Sequence, residues 1–186
     1  ISPFLVIILG AHAGVLMVNV CGLVSSLLIM FRVWKDVDWS MYRWLVIPAV
    51  IGSVPASIAA VYLPAAPMAV IVGAIVLVAL GASLILARNS VVVTGNPAKA
   101  IAGFASGGTN AVAGVGGPAV SAYAVMARWP QRPFAATLQP FFVTIATVTL
   151  AVKLTMEPGQ MPPLSVVAWV LIGLMIVGGI YAGERL

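Results

Sequence analysis

The sequence predicts an all-α, polytopic helical membrane protein made of inverted-topology repeats with broken or re-entrant helices. Three observations carry this expectation. The 186 residues are 62% hydrophobic and 7% charged, whereas a soluble domain is about a quarter charged; mean hydropathy is +1.16. The apolar segments approach the roughly 20 residues that cross a bilayer core, and they are too continuous for the ten-residue alternating strands of a barrel. Residues 103–123, GFASGGTNAVAGVGGPAVSAY, interrupt this pattern with six glycines, a proline and small polar side chains.

In chain order, residues 3–9 form a short apolar piece stopped by Gly10-Ala-His-Ala-Gly14. Residues 15–33 span and contain Asn19 and Ser25-Ser26. A charged loop follows over 32–43, with Trp34, Trp39 and Trp44 as an interfacial aromatic belt. Residues 44–63 span despite Pro48 and Pro55, 64–67 turn, and 68–87 span again. Beyond a polar loop at 88–99 come the Gly-rich piece 100–115 and a second short piece, 118–127. The basic loop 128–132 leads to spans at 133–154 and 164–183, separated by a loop at 156–163.

The Gly-rich stretch is where chemistry is expected. Interior glycines each cost a helix about 1 kcal/mol relative to alanine, and broken backbone is tolerated in a membrane only inside protein or along a cavity. Spacing of the GxxxG kind accounts for Gly103 and Gly107 as close-packing positions. It does not account for Gly116-Gly117-Pro118, because Pro favours the first turn of a new helix. A helix starting there turns free N–H groups and its positive end toward the break, which suits an anion. Ser121, one turn on, adds a hydroxyl, and Asn110 precedes the break. Asn19 and Gln139 are amides inside apolar helices and need partners; helix–helix bonding and substrate contact both satisfy that need. The candidate substrate-binding set is therefore Gly116, Gly117, Pro118, Ser121, Gln139, Asn19 and Asn110. For Ser106 and Thr109, and for the threonines at 137–149, bonding to their own helix and packing are the simpler expectation. His12 falls in a turn and is expected to be solvated, with a proton-linked gate as the alternative.

The two halves share an order of elements. Residues 13–34 align without gaps on 133–154, which sets Asn19 against Gln139, and residues 44–52 align on 169–177. Residues 1–99 thus read as a first repeat and 100–186 as a second within one transmembrane domain. The counterpart of the Gly-rich break would precede Ile1, and a partner for the 68–87 helix would follow Leu186, so both ends of a transporter core are expected to be missing. Inverted repeats with a midplane site are a common plan of secondary transporters.

Gly103-Phe104 with Gly107, then Gly114-Val-Gly-Gly-Pro118 and Tyr123, resembles the second-repeat motif of the TauE/SafE family of sulfite and organosulfonate exporters. The first half is similar to that family from Pro3 through Val37-Asp38-Trp39 to Gly52. The resemblance implies two inverted repeats and transport of a small sulfur-containing or other organic anion.

Several functions lack material. Asp36, Asp38, Glu157 and Glu184 are the only acids and all are expected in loops, and no span is expected to hold Lys or Arg. Neither a carboxylate proton relay, a metal cluster, a catalytic triad nor a P-loop is evident. The expected function is therefore a secondary transporter with no cofactor, no nucleic-acid partner and an inner-membrane location, carrying a small anion by alternating access. A passive anion channel and a non-transporting membrane subunit are the alternatives. Cys21 alone cannot form an intrachain disulfide and suits a small buried hydrophobe.

The positive-inside rule orients the chain. With loops 32–43, 88–99 and 128–132 in the cytoplasm, eight of the nine Lys and Arg residues lie there and only Lys153 faces out. This requires the pieces 100–115 and 118–127 to make a round trip. Single cysteines at Asp36 and Gln131 should resist an impermeant thiol reagent applied from outside; labelling of both would reverse the orientation.

Overall fold

The protein is described from a computed structural model. It covers residues 9–64, 95–157 and 164–183, with residues 66–67, 70–71, 73–75, 77–78, 81 and 159. The regular elements are helices: α1 (Ala11–Val33), a 3-10 turn (Trp34–Asp36), α2 (Trp39–Tyr62), α3 (Asn96–Ala113), α4 (Gly117–Met126), α5 (Gln131–Met156) and α6 (Val166–Gly183). Among the described residues, four segments are long and apolar enough to cross a membrane: His12–Asp36, Trp39–Tyr62, Gln131–Met156 and Val166–Gly183. The chain is thus an all-α polytopic membrane protein. Most of the expected elements 3–9, 68–87, 88–94 and 157–163, and the tail 184–186, lie outside the described residues.

Local chemistry moves some boundaries. The loop expected over 32–43 is mostly helical, because Asp38 caps α2 by accepting the Met41 N–H at 2.9 Å. α3 begins at Asn96, four residues before its expected start, with Pro97 in its first turn. Pro48, Pro55 and Pro140 stay inside helices.

Contacts between ends fix the directions. Asp36, just past α1, pairs with Arg132 at the start of α5 (3.1 Å), and the Asp38 N–H donates to Thr137 Oγ1 at 2.9 Å. Arg132 is 83% exposed, so the ion pair marks position more than stability. A surface pocket brings together Met41, Gly95, Lys99 and Arg128-Trp129-Pro130. The start of α3 and the end of α4 therefore meet at the same end as Asp36 and Arg132: the broken pair α3–α4 enters the bundle and returns. Arg32 stacks on the Tyr181 ring at 5.0 Å, bringing the end of α6 to that face. We call this the basic end. α1 runs toward it and α5 away from it; α2 runs away from it and α6 toward it.

The tightest seam joins α2 and α3. A Cβ at Gly103 would strike the Leu45 carbonyl oxygen, and one at Gly107 the Ala49 carbonyl oxygen; a Cβ at Gly52 would meet the Phe104 carbonyl oxygen at 2.5 Å. The two backbones touch, as expected from the Gly103/Gly107 spacing. Beside the seam, Leu45, Ala49, Val120, Tyr123, Phe141 and Ile145 form the main core. Outward faces remain apolar, with Phe31, Val166 and Met175 exposed, as lipid requires.

One expectation is overturned. Lys153 lies inside α5 and is 0% exposed. The buried stripe of α5 runs through Ala136, Pro140, Phe141, Ile145, Thr149 and Leu150 at helical spacing, and Lys153 is its next position. A spanning helix does hold a lysine, against the expectation that no span would.

Gly107→Ala should destabilise the protein by roughly 1–3 kcal/mol, the range for overpacking. Gly108→Ala, where the nearest atom would be the Gly52 carbonyl oxygen at 3.9 Å, should be close to neutral. Thermal melting of the two variants in detergent checks this; equal melting would mean the seam is loose.

Candidate functional site

The site is built around the break between α3 and α4. α3 ends because Gly114 adopts the left-handed conformation (φ 66°, ψ 22°), which glycine enters without a Cβ clash. Its N–H caps the helix by donating to the Asn110 carbonyl at 2.8 Å. α4 starts at Gly117, three residues later, with Gly116 at its N-cap and Pro118 in its first turn. The buried Ser106 hydroxyl donates across the break to the Gly116 carbonyl. That bond satisfies a polar group for which the membrane offers no water.

The two glycines of the break differ. A Cβ at Gly116 would lie 3.0 Å from Ile145 Cδ1 and 3.2 Å from Asn110 Cβ, so Gly116 faces packed protein. A Cβ at Gly117 would have Phe142 Cζ at 3.8 Å as its nearest neighbour. Gly117 therefore looks onto less crowded space, with one ordinary van der Waals neighbour.

That space is a cavity of about 410 Å³. Asn19, Gly22, Ser25 and Ser26 of α1 line one wall, and Asn110 with Gly114–Pro118 another; Phe142 and Ala146 of α5 close it. Its polar floor joins three helices. Asn110 Nδ2 donates to Asn19 Oδ1 at 2.8 Å and to Thr149 Oγ1 at 3.5 Å, and Asn19 Nδ2 donates to the Val15 carbonyl at 2.9 Å. Asn19 thus keeps one amide hydrogen for a ligand. Beyond this floor, away from the basic end, Val15, Ala60 and Ala113 form an apolar plug. The cavity lies on the other side of the floor, where α1 continues through Ser25 and Ser26 toward the basic end.

No charged side chain is among the described lining residues. The N-terminus of α4 brings first-turn N–H groups without helical acceptors. The C-terminus of α3 ends at the same break with the opposite dipole, so the long-range fields of the two helix ends largely cancel. Short-range hydrogen bonding remains: N–H groups at Gly116 and Gly117, the Asn19 amide and the Ser26 hydroxyl, while the Ser25 hydroxyl donates to the Gly22 carbonyl at 3.1 Å. Such a wall offers neutral hydrogen-bond donors and no fixed counter-charge.

Of the candidate residues, Asn19, Asn110, Gly116, Gly117 and Pro118 share this cavity. Ser121 and Gln139 do not line it, and Gln139 donates to the Ala135 carbonyl of its own helix at 3.1 Å. Thr109, Thr144 and Thr147 bond back to their own helices as expected. Ser106 does not, and bridges the break instead. His12 is in α1, its Nε2 3.1 Å from the Leu63 carbonyl. Ser25, Ser26 and Thr149 were not singled out from the sequence as site residues. The signal for the serines was present: Asn19, Gly22, Ser25 and Ser26 recur at three- and four-residue steps, a small polar stripe on one helix face.

No match to the chain was found among curated proteins or among solved structures. The model of the family described as "Sulfite exporter TauE/SafE" matches residues 1–186. With its full length covered, and with the broken GVGGP hairpin at the wall of an intramembrane cavity, the chain belongs to the TauE/SafE sulfite exporter family, whose members are anion exporter-type membrane transporters.

Proposed function

We propose that this protein is a secondary transporter exporting a small sulfur-containing or organic anion of the sulfite and organosulfonate class across the inner membrane. The observation that carries the proposal is the cavity at the α3–α4 break, lined by the broken backbone, Asn19, Asn110 and two serines. Its volume suits a small ligand. Its donors are neutral, so a desolvated anion gains several hydrogen bonds without being trapped by a fixed opposite charge. Release is part of the task, and a site that binds too tightly would stall it.

Alternating access is the mechanism that fits. The polar floor of Asn19, Asn110 and Thr149 and the apolar plug beyond it separate the cavity from the far end. In the proposed orientation the basic end is cytoplasmic and the cavity belongs to the inward-facing state. The opposed directions of α1 and α5, and of α2 and α6, support two inverted repeats, residues 1–99 and 100–186, rocking against each other. Ser121 and Gln139 remain proposed contacts for states in which the hairpin has moved.

Counterflow separates this reading from its rivals. Proteoliposomes preloaded with unlabelled sulfite or methanesulfonate should accumulate the labelled anion transiently and saturably. A linear, unsaturable flux would indicate a channel, and no flux with no anion affinity a non-transporting subunit.

Two substitutions test the site. Gly117→Val projects methyl groups into the cavity without striking packed protein, so it should abolish transport in protein that inserts and melts normally. Asn19→Ala removes a donor and should weaken anion affinity several-fold to about tenfold, the worth of one neutral hydrogen bond. Titration of purified protein with sulfite checks the second. Normal transport by Gly117→Val would place the site elsewhere.

A further inference from the structure

Lys153 is buried in α5 at 0% exposure, and its Nζ has no hydrogen-bond partner among the described residues. A buried ammonium without a partner is expensive in protein and more so in a membrane. Its place in the helix is specific. It lies four residues after Thr149, on the same face, about 6 Å further along the axis. Thr149 is part of the polar floor, accepting from Asn110. α1 and α5 are antiparallel: Asp36 meets Arg132 at one end, and Asn19 reaches Thr149 through Asn110 in the middle. That register sets Lys153 level with Val15, at the plug of Val15, Ala60 and Ala113.

The order along the bundle from the basic end is then the neutral cavity, the amide–hydroxyl floor, and a buried cation at the height of the apolar plug. We infer that Lys153 is the group that receives the transported anion beyond the floor, a second binding station on the way to the far end. The inference rests on the cavity being the transport site.

The geometry gives each part a task. The cavity selects and holds the anion by hydrogen bonds alone. An anion crossing the plug would otherwise enter hydrocarbon with no counter-charge. Lys153 supplies that charge at the point of greatest need, and the anion supplies the partner that the ammonium lacks among the described residues. A cation at the floor itself would hold the anion too firmly; one turn beyond, it favours the forward step. The contact needs the plug to open, so it forms in the transition and the outward-facing state.

The experiment compares wild type, Lys153→Met and Lys153→Arg in proteoliposomes, with sulfite and methanesulfonate as probes. Three readouts are taken: equilibrium binding, counterflow rate, and melting temperature without anion. For Lys153→Met we expect binding within about twofold of wild type, since the cavity is intact, and counterflow slowed roughly tenfold or more, the effect of losing a charged hydrogen bond in the crossing step. Its melting temperature should equal or exceed that of wild type, because an unpartnered buried charge is gone. Lys153→Arg should retain much of the rate. Wild-type counterflow by Lys153→Met overturns the second station and leaves the cavity standing. A lower melting temperature in both Lys153→Met and Lys153→Gln, with Lys153→Arg stable, also overturns it by assigning the charge to folding. Wild type that exchanges neither anion overturns the transport reading and this inference together.

Discussion

Every backbone polar group inside a bilayer must find a partner within the protein, and the break between α3 and α4 is where that requirement is hardest to meet. Two hydrogen bonds meet it: the Gly114 N–H on the Asn110 carbonyl, and the Ser106 hydroxyl on the Gly116 carbonyl. Both depend on α3 being held at a fixed depth against α2, which Gly103, Gly107 and Gly52 achieve by backbone contact. The seam positions the break, and the break positions the cavity.

The cavity then divides labour among side chains too weak to act alone. Asn19, Asn110 and Thr149 come from three helices that are distant in sequence, and each satisfies part of another's bonding capacity. The bridge is a structural tie, and the Asn19 hydrogen it leaves over faces the proposed site. A neutral polar floor can part and re-form at a cost of about a hydrogen bond per contact, roughly 1 kcal/mol net. An ion pair there would resist opening far more strongly. The placement of Lys153 one turn away from the floor is consistent with that economy.

Among the described residues, charge elsewhere lies at the ends of the helices. Arg32, Asp36, Lys99, Arg128 and Arg132 gather at the basic end, where they tie segments together through contacts such as Asp36–Arg132 and Arg32–Tyr181. Solvent screening makes these pairs weak contributors to stability. Their common location is nonetheless what shows that α3 and α4 form a returning pair.

The sequence by itself determined the helical membrane class, the break within residues 103–123 and the close-packing role of Gly103 and Gly107; it also singled out Asn19, Asn110 and Gly116–Pro118, which the structure brings to one cavity, along with Ser121 and Gln139, which it does not. These follow from local chemistry: hydropathy over a span, helix-breaking glycines, a first-turn proline, and amides that need partners. Tertiary structure decided what depends on the facing helix. Periodicity within α5 could not say that Gln139 would bond to its own backbone while Thr149, ten residues on, would complete the floor. Alignment of the halves set Asn19 against Gln139, yet the partner of Asn19 is Asn110, because α3 rather than the N-terminal part of α5 lies beside that point of α1. Lys153 looked like a loop residue because lysine is costly in a span; only the continuation of the buried stripe of α5 past Leu150 put it inside. The identity of a helix face can be read from spacing, but the neighbour it meets is chosen by packing across the whole bundle.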